Sequence, residues 1–152
     1  MPFVANAYAA RFSDLVFHEL DPSVGYAREC VNVTPPAASA PIVLGTVAFR
    51  AKTVTDPYAA YAVVSSAAQL VDTNEFVVIY GDNYSFNPSF VPFAVNATTH
   101  NAVGFKRGPV QLKEYYIRQW AQAAGGLALT DTQYASLKEV LKRQDIIVEK
   151  TL

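Results

Sequence analysis

The chain has 152 residues, 51% of them hydrophobic and 16% charged, with 12 Lys and Arg against 13 Asp and Glu for a net charge of −1. The length suits one domain plus an arm, and the apolar share is enough to bury a core. So neutral a balance argues against a nucleic-acid surface, which needs a basic excess. A charged share below the usual quarter or so suits a protein that works inside an assembly.

In residues 1–20, Phe3, Tyr8, Phe12, Val16 and Phe17 scatter large apolar groups through a small and polar stretch. Tyr8, Phe12, Leu15 and Val16 fit one helical face. Two readings stand side by side: a short N-terminal helix docked on its own domain, or an arm that finds its partner outside the chain. No basic start precedes a long apolar run, so a signal peptide is not expected. Nothing approaches the roughly 18 apolar residues of a membrane span. Cys30 is the one cysteine, which excludes an intrachain disulfide and a thiolate metal cage. Reduced, cytoplasmic synthesis is the simple reading, and the Asn-x-Ser/Thr triplets at Asn32, Asn83 and Asn96 are taken as chance.

Asp21-Pro22 breaks any helix. Tyr26–Val33 then alternates as a strand with one clearly apolar face. Thr34–Pro41 is a stiff loop. Ile42–Phe49 is β-branched and apolar with Gly45 inside it, which predicts one buried strand carrying a bulge or a close backbone contact. Asp56–Leu70 is rich in alanine, which favours an inserted helix, although Val63-Val64 also permits a strand. Glu75–Asp82 is a strong strand ended by Gly-Asp. Asn83–Asn101 holds Phe86, Phe90 and Phe93 with no charged residue and reads as an extended, apolar insertion. Ala102–Leu112 is a strand interrupted at Gly108-Pro109.

Lys113–Gly126 predicts a helix with Leu112, Tyr116, Trp120 and Ala123 on one face, stopped at Gly125. The last unit is the clearest. Thr130 and Gln133 form a capping box, with Leu129 and Tyr134 in the staple positions. Tyr134, Leu137, Val140 and Leu141 make a core-facing stripe. Lys138, Lys142 and Arg143 complement the helix dipole, and Glu139 is set to pair with Arg143. Ile146–Lys150 is a short strand. A helix that leads straight into a strand must lie on a sheet. The expected fold is therefore α+β: a small, mostly antiparallel sheet or barrel-like system with packed helices and an extended N-terminal arm.

Signals of chemistry are sparse. His18 and His100 lack partners at metal-ligand spacing. Cys30 sits beside Glu29, whose charge disfavours a thiolate. There is no nucleophile elbow, no dinucleotide fingerprint and no phosphate loop. Lys106–Pro109 has two basic residues before a glycine, which suits an anion but equally a surface turn with solvated charges, and the turn is expected. No enzyme activity, metal or cofactor is expected.

His18–Pro36 resembles the opening of the bacteriophage lambda-type head decoration proteins, with Tyr26, Arg28, Glu29, Val31 and Val33 in the places of the family's Tyr-Ser-Arg-Glu-Thr-Val-Thr-Val-like strand. Val43–Phe49 resembles the Leu-x-x-Gly-Thr-Val stretch that follows. Phe76–Asp82 is similar to the central strand, Val103–Leu112 to the Arg-Gly-Pro strand, and Leu129–Val148 to the terminal helix and last strand. The likeness covers most of residues 18–150 in order. Asp145 stands where the family has glycine, a residue type that tolerates the left-handed conformation. Ala27 and Cys30 replace Ser and Thr, and Tyr58–Thr73 and Tyr84–Thr99 look like insertions.

The resemblance implies a homotrimer at the threefold and quasi-threefold sites of an expanded HK97-type capsid, on the outer surface of the virion. Its partners are the major capsid protein and itself, with no nucleic acid and no membrane. Residues 1–20 are then a capsid-binding arm, with Phe3, Tyr8, Phe12, Val16 and Phe17 as anchors, and residues 21–152 the decoration domain. Phe86, Phe90 and Phe93 become candidate oligomer or capsid contacts. On this reading, removing residues 1–17 leaves a folded trimer that no longer binds heads. The rivals are another virion component of tail or neck, and a small binding or enzyme domain with a pocket of Tyr115, Tyr116, Trp120 and the insertion's phenylalanines.

Overall fold

The computed structural model describes residues 15–19, 27–35, 42–82, 89–90, 99–122 and 127–150. Nine strands, two helices and a last strand follow one another along them: β1 (Val16–Glu19), β2 (Arg28–Thr34), β3 (Ile42–Val43), β4 (Val47–Ala51), β5 (Tyr61–Val63), β6 (Asn74–Asp82), β7 (Ser89–Phe90), β8 (His100–Phe105), β9 (Val110–Lys113), α1 (Glu114–Gln122), α2 (Asp131–Lys142) and β10 (Ile146–Glu149). Five of these strands close a barrel in the order β2-β5-β4-β6-β8, and β1-β9-β10 form a three-stranded sheet. The chain is thus a small, strand-rich α+β fold, as its pattern led one to expect.

β6 holds the molecule together because both of its faces are buried. Phe76 and Val78 point into a core shared with the helices and the three-stranded sheet, where they meet Leu15, Phe105, Ile117, Leu137, Leu141 and Ile146. Val77 and Ile79 point the other way, into the barrel interior, with Val31, Val33, Ile42, Ala48, Tyr61 and Ala102. Alternation with period two is what sends neighbouring residues into separate cores.

Three expectations are corrected. Ile42–Phe49 is two strands, because the chain turns at Leu44 and Gly45; Gly45 has φ +87, and a Cβ there would lie 3.0 Å from the Ile117 nitrogen. The close backbone contact expected there is therefore real, and it is with α1. The helix expected over Asp56–Leu70 does not form. That stretch contains β5, a barrel strand whose Tyr61 and Ala62 pair in parallel with Val33 and Thr34 of β2, and then a single 3-10 turn at Ala67–Gln69. Local alanine content favours helix by tenths of a kcal/mol per residue, less than closing a barrel gains by removing an open edge.

The third correction concerns α1. It buries Glu114, Ile117 and Ala121, while Tyr116 and Trp120 are half-buried flanks of that core. The expected stop at Gly125 lies outside the described residues. α2 is as expected: Thr130 Oγ1 accepts from the Gln133 backbone N–H, Gln133 closes the capping box, and Tyr134, Leu137, Val140 and Leu141 are all buried. Arg143, however, ion-pairs with Asp72. Asp145 takes the left-handed conformation (φ 59) and hands the chain to β10, which runs parallel to β9.

A side chain stitches the barrel where β8 leaves β6. The Gln144 carboxamide accepts from the Phe76 N–H at 2.7 Å and donates to the Phe76 carbonyl at 2.8 Å and the Lys106 carbonyl at 2.7 Å. It thus behaves as one more peptide unit beside β6.

Candidate functional site

Leu15 is fully buried, and its carbonyl accepts from the Lys113 N–H at 2.6 Å. It opens β1, which pairs antiparallel with β9, Val16 opposite Leu112 and Glu19 opposite Val110. Val16 is half-buried against the core. Phe17 is 63% exposed, at a bulge where the register of β1 slips between Val16 and His18. Glu19 is buried and receives the Arg28 guanidinium at 2.9 Å; that hydrogen bond holds Arg28 above its ordinary pKa. The segment read as an arm up to residue 20 therefore joins the folded domain at Leu15. Phe3, Tyr8 and Phe12 lie outside the described residues, as do Phe86 and Phe93. Of Phe90 the backbone is described, in β7 opposite Ile42.

The second exposed aromatic surface is on α1. A shallow depression of about 330 Å³ is lined by Tyr115, Arg118, Gln119 and Gln122. Arg118 there is engaged by Gln122 at 2.8 Å, Glu114 at 3.4 Å and Asp131 at 3.0 Å. These contacts tie α1 to the start of α2. Of the aromatic trio expected in a pocket, Tyr115 lines this depression and stacks edge-on to Tyr116 at 5.1 Å, whereas Tyr116 and Trp120 pack on the core.

A third surface was not foreseen from the sequence. Tyr58 is 80% exposed, yet its loop is fixed. Arg50, buried in β4, donates to the Asp56 and Ala59 carbonyls at 3.1 Å each. The Arg50 guanidinium also lies 4.5 Å from the Tyr61 ring centroid and pairs with Glu75, which accepts the Tyr61 hydroxyl at 2.9 Å. The Asp56 carboxylate accepts the Tyr58 N–H, and Asn32 Nδ2 donates to the Tyr58 carbonyl, both at 2.9 Å. Asp56-Pro57 is a turn signal from which this loop could have been read; the alanine content of the stretch obscured it.

Lys106 and Arg107 both reach Glu29, at 3.4 Å and 2.9 Å, so that turn is an ion-paired surface. Among the described residues no cluster of three His, Cys, Asp or Glu side chains is placed to hold a metal ion, and no helix is long and apolar enough to cross a membrane. Exposed aromatic groups on rigid supports are suited to gripping another macromolecule, where they bury area at little entropic cost. Compared with protein-family models, with curated proteins and with solved structures, the chain returns no match.

Proposed function

We propose that the protein is a viral head decoration protein, binding as a homotrimer on the outer surface of an expanded HK97-type capsid and clamping its capsomers against the pressure of packaged DNA. The reading rests on the ordered likeness of five segments to the lambda-type decoration proteins. The observation that best supports it is the root of the N-terminal segment. Residues 1–14, with Phe3, Tyr8 and Phe12, are joined to a buried Leu15 and an edge-strand β1 whose Phe17 is exposed. A force on that segment is delivered straight to the three-stranded sheet and the core beneath it.

The physics favours several weak grips. Burying one large apolar side chain yields about 1.5–3 kcal/mol, while ordering a residue's backbone costs about 1–2 kcal/mol. One segment alone therefore gains little. Three, tethered in one trimer, raise each other's effective concentration. Mixing the protein with expanded shells and imaging them by electron cryomicroscopy tests this. Density at threefold sites with the full chain, and its loss with a chain lacking residues 1–14, is expected. Equal occupancy by the truncated chain removes the segment from the mechanism, and bare shells with the full chain end the decoration reading.

A further inference from the structure

We propose that Glu19 of β1 and Arg28 of β2 form a two-position catch: closed, it fastens β1 to the barrel; open, it frees β1 and the residues before it while the barrel stays folded. β1, four residues long, pairs with β9 alone at the edge of its sheet, and its register slips between Val16 and His18. Short edge elements open at the low end of the range of local unfolding free energies. Among the described residues β1 makes no ladder with a barrel strand, and the ion pair makes that link instead. Arg28 Nε donates to both Glu19 carboxylate oxygens, at 2.9 Å and 3.2 Å, and the Glu19 side chain is only 5% exposed. Leu15, buried before the other end of β1, is the second fastening.

The two halves of the catch are unequal. Arg28 belongs to the barrel. Its guanidinium lies 5.4 Å from the ring centroid of Tyr80 in β6, and that ring meets the fully buried Phe105 of β8 edge-on at 5.4 Å. This half keeps its place when β1 leaves, so closing does not have to order it again. Glu19 is the moving half. Paired with Arg28 it is stable out of water, and fully released it is stable in water. Part-way out it is neither paired nor hydrated, and an uncompensated buried charge is costly. That cost between the end states makes release all-or-none. The catch rests on the fold alone; its use, holding the gripping segment to the domain under load, rests on the decoration reading above.

Amide hydrogen exchange of the full chain, followed by NMR, tests it with two reporters. The Lys113 N–H bonds to the Leu15 carbonyl and reports β1; the Ile79 N–H bonds to the Thr46 carbonyl and reports the barrel. In the wild type, Lys113 should exchange at least about tenfold faster than Ile79 after correction for intrinsic rates. Glu19→Gln keeps the shape of the side chain and removes its charge; it should speed Lys113 at least about tenfold more and leave Ile79 where it was. Arg28→Lys keeps a charge without the planar guanidinium and should shift Lys113 in the same direction. Lys113 and Ile79 exchanging together in the wild type, moving together in the variants, or a Lys113 rate indifferent to both substitutions would each overturn the catch. The expected exchange pattern with bare shells would leave the catch standing while the decoration reading fell. Decorated shells with Lys113 opening only alongside Ile79 would do the reverse.

Discussion

Tyr134, in the first turn of α2, has a buried hydroxyl with no hydrogen-bonding partner among the described residues. Its ring lies 5.8 Å from the Arg118 guanidinium and 5.3 Å from the Lys138 ammonium, so the face is well used and the hydroxyl is not. Tyr134→Phe should raise stability by about 1 kcal/mol at neutral pH, read as a higher urea midpoint; a loss of stability would show that the hydroxyl is satisfied. Burial holds the Tyr134 phenol above its ordinary pKa, and burial with the Glu75 hydrogen bond does the same for Tyr61. Both stay protonated in the folded chain at a pH where the unfolded chain has lost the proton. Their contribution is whole below about pH 10 and drains as pH climbs through the raised folded values. The urea midpoint should therefore fall in alkali, and fall less in Tyr134→Phe. Gln144 is the opposite case, with every amide group engaged. Gln144→Ala strands an N–H and two carbonyls of Phe76 and Lys106, and should cost about 1–3 kcal/mol with the denaturant slope unchanged; an unmoved midpoint would mean that the strands close the gap themselves.

At the scale of elements, α2 was legible because everything that specifies it is local. A cap, a staple and a stripe act within a few turns, and each agrees with the others. Thr130→Ala should cost about 1 kcal/mol, seen as a lower melting temperature; no change would mean that tertiary packing alone holds the first turn. Ion pairing was less legible: Arg143 turned to Asp72, far off in sequence, in preference to Glu139 one turn back. β5 was illegible for a related reason. Its three residues exist as a strand because β2 and β4 lie on either side of it, and no pattern inside Asp56–Leu70 encodes that. The buried face of α1 was misjudged by about one residue, since Gly45 brings the Leu44-Gly45 turn against the backbone of Tyr116 and Ile117. Gly108 plays a similar part, since a Cβ there would run into the Asp145 carbonyl.

For the whole molecule, the described fold takes in Leu15 and Val16, so the proposed arm overlaps it where the two meet. On the proposed decoration reading, in which residues 1–14 grip a partner, removing them should leave the melting temperature nearly unchanged. Removing residues 1–17 also takes Leu15 and Val16 out of the core, and losing one buried leucine alone costs about 2–5 kcal/mol. Equal melting of the two truncated chains would show that β1 contributes nothing to the fold. Of the candidate site, the exposure of Phe17 beside a half-buried Val16 comes from the bulge in β1, which no pattern in the sequence encodes, and the spacing of Tyr8, Phe12, Leu15 and Val16 suited a helix. The sequence by itself determined the α+β class, the strand β2, the strong strand β6, the break at Gly108-Pro109 and the whole of α2, because these depend on period, propensity and capping within a short window; that the stretch read as one interrupted strand is β8 of the barrel and β9 of the three-stranded sheet it did not determine. The tertiary structure alone decided that the strands close into a barrel, that β6 is buried on both faces, and that Tyr58 stands exposed on a fixed loop. Those outcomes depend on which distant segments pair, and pairing is settled by the burial and hydrogen bonding of the whole chain at once.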